Sequence, residues 1–365
     1  MPSFSRLKYF DVPLLITSGL LLLIGLAIQY AVSLSGGTME IFYRQLAFSA
    51  GGITLFFLFA FYNYHRLAKL NRIAYVLLIL SLIYLLIFGD QIRGTVGWIE
   101  LGFFNLQPAE LAKIIIVVAL ARWLYLNRGQ INSWKNFGLT FLCAAIPASL
   151  VFLEPDLGST VIIMAIWFGI MLISPLRKMY IIVFLILAVI FAGVAWQFLL
   201  KDYQKTRVEV FLNPDKDPKG KGYNVRQAII AVGSGEFLGR GLGRGLQSQL
   251  KFLPERQTDF IFASAAEEIG FVGVSMILGL FFIVFWRLLR IMKYARDDLA
   301  VYITGGVFFL FFSQTTANIG IYLGLLPVTG IPLLFLSYGG SSLMVTCIAL
   351  GIVQNIARQS KTLRF

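Results

Sequence analysis

The sequence predicts an all-α polytopic integral membrane protein of about ten transmembrane helices, on three observations. Of its 365 residues, 58% are hydrophobic and 13% charged, against roughly 25% charged in a soluble domain. Mean hydropathy is +0.80. Apolar stretches near the ~20 residues that cross a bilayer recur along the whole chain. No internal repeat and no appended soluble domain are visible, so residues 1–365 read as one membrane domain.

In chain order the apolar runs place helices at 12–32, 45–63, 73–89, 109–126, 137–153, 158–174, 179–200, 260–286, 301–324 and 334–357. The first run is longer than a signal h-region and lacks a clear A-x-A site, which predicts a retained helix. The second outer segment, "IRGTVGWIELGFFNLQPAE", mixes Trp98, Phe103 and Phe104 with polar groups, as interfacial segments do. The fourth run opens with "QPAELAK" and the sixth follows "LEPDLGST". A large extracytoplasmic loop, about 201–259, separates helices seven and eight. Within it, residues 225–232 fit a short amphipathic helix on the membrane surface. The glycine-rich "GSGEFLGRGLGRG" is a weak phosphate-loop signal without strand–loop–helix context, and a turn-rich loop is the favoured reading. Before the last run, "LLPVTGIPLLFLSYGGSS" reads as an ordinary loop or as irregular backbone lining a cavity at membrane depth.

Charge orients the chain. With the N-terminus inside, basic residues from Arg6 and Lys8 to Arg358, Lys361 and Arg364 fall in inner segments, while the short outer loops hold Arg44 and Arg93. The positive-inside rule then puts both termini in the cytoplasm. The net charge of +13 follows from basic loops facing anionic lipid. Nucleic acid is not an implied partner, because the basic residues are scattered between spans. The long loop is also net basic, which suits an anionic ligand or a solvated surface. Cys143 and Cys347 lie in apolar runs and read as neither disulfide partners nor metal ligands. His65 is the single histidine, which excludes a His-based triad. No Walker A sequence suggests ATP hydrolysis.

Ionisable groups in a bilayer are costly and usually mark a pair, a pathway or a site. Glu110 and Lys113 are three apart on one helix face, where they can pair; Lys113 could instead meet an anionic substrate or an acid on the eighth helix. Asp156 is placed to cap the sixth helix. Asp259 stands where loop becomes helix, as an N-cap or first-turn acid complementing the helix dipole or as a general base reachable from the leaflet. Glu267 and Glu268 lie about 12–14 Å further along the axis. They are expected to face protein or a wet cavity and to pair with groups such as Lys113. These residues leave two classes open, a lipid-linked enzyme and a transporter.

The motifs "FLNPDKDPKGKGY", "FLPERQTDFIFASAAEEIGFVG", "NIGIYLGLLPVTGIP" and "SYGGSS", with "GWIELGFFNLQPAELAK" and "EPDLGST", resemble the SEDS family (shape, elongation, division and sporulation) over nearly the whole chain. The wording "QSQLKFLPER" leans to its elongation branch rather than its division branch. The resemblance implies a ten-helix fold in the inner membrane and peptidoglycan glycosyltransferase activity on lipid II, for cell-wall elongation and cell shape. Undecaprenyl pyrophosphate would leave, and a class B penicillin-binding protein would be the partner. It places the family's essential aspartate on Asp259. Gln257, Leu334 and Glu236 depart from the family's usual histidine, proline and glycine.

On that reading Asp259 takes the proton from the acceptor 4-hydroxyl, and one base suffices because pyrophosphate leaves without a general acid. The departing charge needs a counter-charge: Lys113, Arg256, basic loop residues or a divalent cation (magnesium or manganese) could supply it, and the sequence does not choose. Motif membership and depth mark Lys113, Glu110, Arg256, Glu255, Gln227 and Ser341 as expected substrate-binding residues, with Glu267, Glu268 and Asp156 in support. A lipid II flippase or other transporter is the alternative, and a scaffold that only recruits the crosslinking partner is the third reading.

Overall fold

The computed structural model describes residues 9–36, 39–89, 97–100, 102, 104–198, 205, 221–245, 255–322, 325–326 and 330–361. Helices are α1 (Val12–Gly36), α2 (Glu40–Phe61), α3 (Tyr64–Phe88), α4 (Pro108–Leu126), α5 (Trp134–Leu153), α6 (Leu157–Ile173), α7 (Lys178–Phe198), α8 (Lys221–Ser234), α9 (Ile261–Lys293), α10 (Asp298–Tyr322) and α11 (Gly340–Lys361). A two-stranded hairpin, β1 (Ile99–Glu100) and β2 (Asn105–Leu106), pairs Ile99 with Leu106. Most of "FLNPDKDPKGKGY" and most of "QSQLKFLPER" lie outside the described residues, as do Arg93 and Phe103.

Seven of these helices, α1, α2, α3, α5, α9, α10 and α11, are long and apolar enough to cross a membrane. The helices α6 and α7 contribute shorter apolar stretches, and α4 carries Glu110, Lys113 and Arg122 in 19 residues. The bundle is built around α10, which packs on α4, α6 and α9; α2 pairs with α11, α1 with α9, α3 with α4, and α5 with α6. The helix α10 has buried residues from Leu299 to Tyr322, with Phe312 and Thr316 among its exposed positions, and its buried polar residues include Gln314 and Asn318.

Boundaries depart from the hydropathy reading where polar residues are helical. The helix α3 starts at Tyr64, not 73, because the Asn63 side chain accepts from His65 N at 2.8 Å and caps the polar turns before the apolar run. The helix α9 continues to Lys293, not 286, and its 33 residues are two helical pieces that meet at Gly270; the longer piece, residues 271–293, spans about 35 Å, near the ~30 Å hydrocarbon core. The helix α11 begins at Gly340, not 334: residues 331–337 are non-helical yet buried, with Ile331, Leu333 and Leu336 each at most 2% exposed. This irregular chain lies against α1 at Gly25, where an added Cβ would stand 2.8 Å from Leu336 Cα.

The stretch expected as one loop, 201–259, is partly built into the bundle. The helix α8 is longer than the amphipathic segment expected and packs on α9 and α10. The glycine-rich residues after it fill a break in α9 at Gly270, whose φ of 64° and ψ of −169° are non-helical. Arg240 N and Gly241 N donate to the carbonyls of Glu267 and Glu268, both at 3.0 Å. Phe271 N and Val272 N donate to the carbonyls of Glu236 and Phe237 at 2.9 and 3.1 Å. Backbone groups orphaned by the break are thus satisfied from a second segment, as membrane depth requires. The approach needs glycine: a Cβ on Gly239, whose φ is 79°, would lie 2.7 Å from Gly270 N. Glu236 takes a φ of 50° within the same turn.

Candidate active site

Asp259 sits on a tight turn, residues 255–260, that feeds α9. The N-cap position falls on Phe260, which offers no side-chain cap. Asp259 stands one residue outside the helix, so it is not the N-cap the local sequence suggested.

The turn is held through its carbonyls. Gln257 O accepts from Gln29 Nε2 of α1 at 2.8 Å and from Tyr338 N at 2.7 Å. Thr258 O accepts from Ser337 Oγ at 2.6 Å. Asp259 O accepts from Asn318 Nδ2 of α10 at 3.2 Å and from the Tyr322 hydroxyl. Three consecutive peptides are thereby pinned to three separate elements. The Asp259 side chain is half-buried and directed toward Gly330, where an added Cβ would sit 3.7 Å from Oδ2.

The same amides hold the non-helical chain before α11. Gln29 Nε2 also reaches Leu336 O at 3.1 Å, and Asn318 Nδ2 reaches Ile331 O at 2.7 Å. Gln314 Nε2 donates to Pro332 O at 3.0 Å, and Gln45 of α2 brackets Ser337 O and Gly339 N at 3.3 Å each. Hydropathy reading passed over Gln29, Gln45, Gln314, Asn318 and Tyr322. Their signal was present: an amide inside an apolar run is expensive unless it meets a partner.

Arg256 is 8% exposed, and its Nη1 has no acceptor. Burial pushes its guanidinium below the ordinary value, and the opposite charge of Glu268 pulls it back. Glu267 and Glu268, 0% and 1% exposed, lie beneath the glycine-rich segment. The expected pairing of these acids with Lys113 does not occur. Lys113 Nζ bonds Glu110 Oε1 at 2.5 Å and approaches Gln314 Oε1 at 3.5 Å, all buried. Helical i,i+3 spacing makes Glu110 the nearer partner.

Asp156 caps α6, its Oδ1 accepting from Ser159 N at 2.9 Å, and its Oδ2 takes Gln107 Nε2 at 3.2 Å. Ser341 is 3% exposed; its hydroxyl accepts from Gln107 N at 3.0 Å and donates to Asn105 O at 2.9 Å, tying α11 to β2. Glu255 is exposed on the turn, where Oε2 accepts from Thr258 Oγ1 at 3.1 Å. Gln227 is half-buried on α8. The structure thus gathers Asp259, Glu255 and Arg256 on one turn with Glu268 beneath, and leaves the Glu110–Lys113 pair and Ser341 as ties within the bundle. Among the described residues, no three His, Cys, Asp or Glu side chains converge as a cation site. Arg256 lies three positions before Asp259 on the same turn.

A polytopic helical bundle carrying a carboxylate and a buried arginine on one pinned turn defines a membrane protein with a built polar site at one end. The family model described as cell cycle protein (FtsW/RodA/SpoVE) matches residues 6–362. The chain belongs to this family, the SEDS proteins. It is 39% identical over 290 residues to the peptidoglycan glycosyltransferase MrdB of Escherichia coli K12, covering 79% of this chain and 78% of that one. It is 31% identical over 425 residues to the peptidoglycan glycosyltransferase RodA of Treponema pallidum, covering 96% and 98%. A chain of a solved peptidoglycan synthase complex of polymerization and crosslinking superposes with a TM-score of 0.83 at 29% identity, covering 96% and 98%.

Proposed function

We propose that this chain is a peptidoglycan glycosyltransferase of cell-wall synthesis that polymerises lipid II, with Asp259 as the base. The observation that carries the assignment is the pinning of residues 257–259 by Gln29, Ser337, Asn318 and Tyr322. A base must be held within hydrogen-bond reach of its proton, and a carboxylate on an immobilised turn meets that need.

In the proposed step Asp259 accepts the proton of the acceptor N-acetylglucosamine 4-hydroxyl. That oxygen forms a bond to the anomeric carbon of N-acetylmuramic acid on the growing chain. The carbon–oxygen bond to pyrophosphate breaks, and undecaprenyl pyrophosphate departs with the electron pair. Attack from the opposite face converts the α link to a β-1,4 link. The base contributes about 10²–10⁴-fold; tethering both sugars to lipid contributes through proximity. Arg256, buried and short of an acceptor, is suited to the departing charge. Glu255 and Gln227 are the remaining candidates for sugar contact. No step is routed through a metal.

The likeness to a chain of a peptidoglycan synthase complex supports work within such an assembly, with a class B penicillin-binding protein as the proposed partner. The basic ends of the helices support a multi-pass inner-membrane topology with ten crossings, cytoplasmic termini and Asp259 on the extracytoplasmic side.

The test is glycan formation from lipid II in detergent, with the partner's transpeptidase blocked. Wild type is expected to make long chains and Asp259→Asn none, with unchanged thermal stability. Normal polymerisation by Asp259→Asn would refute the base. Transport of lipid II across sealed vesicles without polymer would establish the flippase reading, and neither activity would leave the scaffold.

A further inference from the structure

At the end of the bundle opposite Asp259 a cleft of about 440 Å³ opens between α3, α4 and α5. Its end is fixed by α4, which starts beside Ser341 and runs away from it to Leu126. The volume falls within the ~300–1,000 Å³ of sites that hold small amphiphiles.

The walls are Val76, Ala119, Leu126 and Leu139. Two uncharged polar side chains in the cleft are already spent inside the protein. Asn71 Nδ2 donates to Ile115 O at 3.2 Å, and the Tyr75 hydroxyl donates to Cys143 O at 2.9 Å. A site lined this way offers water few partners and favours an apolar occupant.

Two cations also line it. Arg122 gives Nη1 to Ala68 O at 2.5 Å and keeps its other donors. Arg72 is exposed and makes no hydrogen bond or ion pair among the described residues. Arg66, Lys69 and Arg72 cluster within the first nine residues of α3, the end that the positive-inside rule assigns to the cytoplasmic headgroup layer. Trp123, which also lines the cleft, is a residue type that favours that depth. An apolar slot with unpartnered positive charge at headgroup level complements one kind of molecule: an acyl chain for the slot and a phosphate for the arginines.

We infer that the α3–α4–α5 cleft binds an anionic phospholipid of the leaflet facing away from Asp259, its phosphate on Arg72 and Arg122 and an acyl chain along Val76, Ala119 and Leu139. Basic pockets between membrane helices hold anionic headgroups in this way. The inference does not depend on the glycosyltransferase assignment.

The test is native mass spectrometry of the full chain in mild detergent, titrated with phosphatidylglycerol or phosphatidylcholine of matched acyl chains. Wild type is expected to retain phosphatidylglycerol preferentially. Arg72→Gln is expected to cut that preference about fivefold, the factor one surface basic residue supplies, while phosphatidylcholine binding stays. Ala119→Trp, which fills the slot, is expected to abolish retention of both. Equal retention of the two lipids by wild type, or an unchanged preference in Arg72→Gln, overturns the site. Displacement of the lipid by soluble glycerol phosphate also overturns it, by showing that phosphate alone is recognised. Should Ala119→Trp fail to fold, the exposed Arg72→Gln carries the decision.

Discussion

At the residue scale, the proposed chemistry rests on how one carboxylate is held. Asp259 does not cap its helix, and its backbone carbonyl receives both the Tyr322 hydroxyl and the Asn318 amide. Removing the hydroxyl costs one net hydrogen bond of about 0.5–1.5 kcal/mol. Because that bond fixes the proposed base and not the substrate, the loss should fall on kcat. Tyr322→Phe is expected to lower kcat by about threefold to tenfold with KM unchanged, read from steady-state polymerisation rates. A change confined to KM would show that Tyr322 contacts substrate instead. Asp259, Glu255 and Arg256 were legible in the sequence as charges at an apolar boundary. The amides that aim them were not singled out, because an uncharged Gln or Asn barely dents the hydropathy of a long run.

At the element scale, two features control the site's frame. One is the break in α9, a left-handed Gly270 wedged against residues 237–239. Gly270→Ala would place a Cβ 2.7 Å from Leu238 C at a φ of 64°, a strain of order 1–3 kcal/mol before any clash. It is expected to lower the thermal midpoint in detergent and to expose the 235–245 segment to limited proteolysis; a wild-type midpoint would mean that α9 tolerates straightening. The other is the α5–α6 turn, where Glu154 is wholly buried and neither carboxylate oxygen has a hydrogen-bond partner. Burial first, and then the like charge of Asp156, push Glu154 up to about 8. The folded state therefore holds a proton that the unfolded chain has released near pH 4.5. Stability from this group is full below the unfolded value and drains as pH rises toward 8, by at most about 1.4 kcal/mol per unit. Glu154→Gln is expected to flatten that fall and to be more stable than wild type at pH 8, measured as thermal midpoint against pH. The sequence showed Glu154 beside Asp156, but only the packing removes its water.

At the scale of the whole molecule, the bundle carries its charges as internal ties. The Glu110–Lys113 pair is buried at 2% and 1% exposure and joins α4 to α10 through Gln314. Breaking such a pair strands a charge and costs about 3–5 kcal/mol. Lys113→Met is expected to destabilise the protein by that order in denaturant or thermal melts, and Glu110→Gln added to it should recover most of the loss. A Lys113→Met protein of normal stability that fails to bind lipid II would return Lys113 to the substrate.

Taken alone, the sequence determined the class: period-free apolar runs of bilayer length and basic flanks admit little besides a polytopic helical bundle, and specific motifs placed the chain in its family. Tertiary structure decided which polar groups meet. The Glu110–Lys113 pair was open to the sequence through i,i+3 spacing, and the packing decided that Glu267 and Glu268 do not join it. The glycine-rich stretch became the plug of a broken helix because backbone groups orphaned at that depth must find partners in protein. Apolar content depends on composition, which a chain carries openly, whereas hydrogen-bond partners depend on approach between segments up to 307 positions apart, which only folding creates.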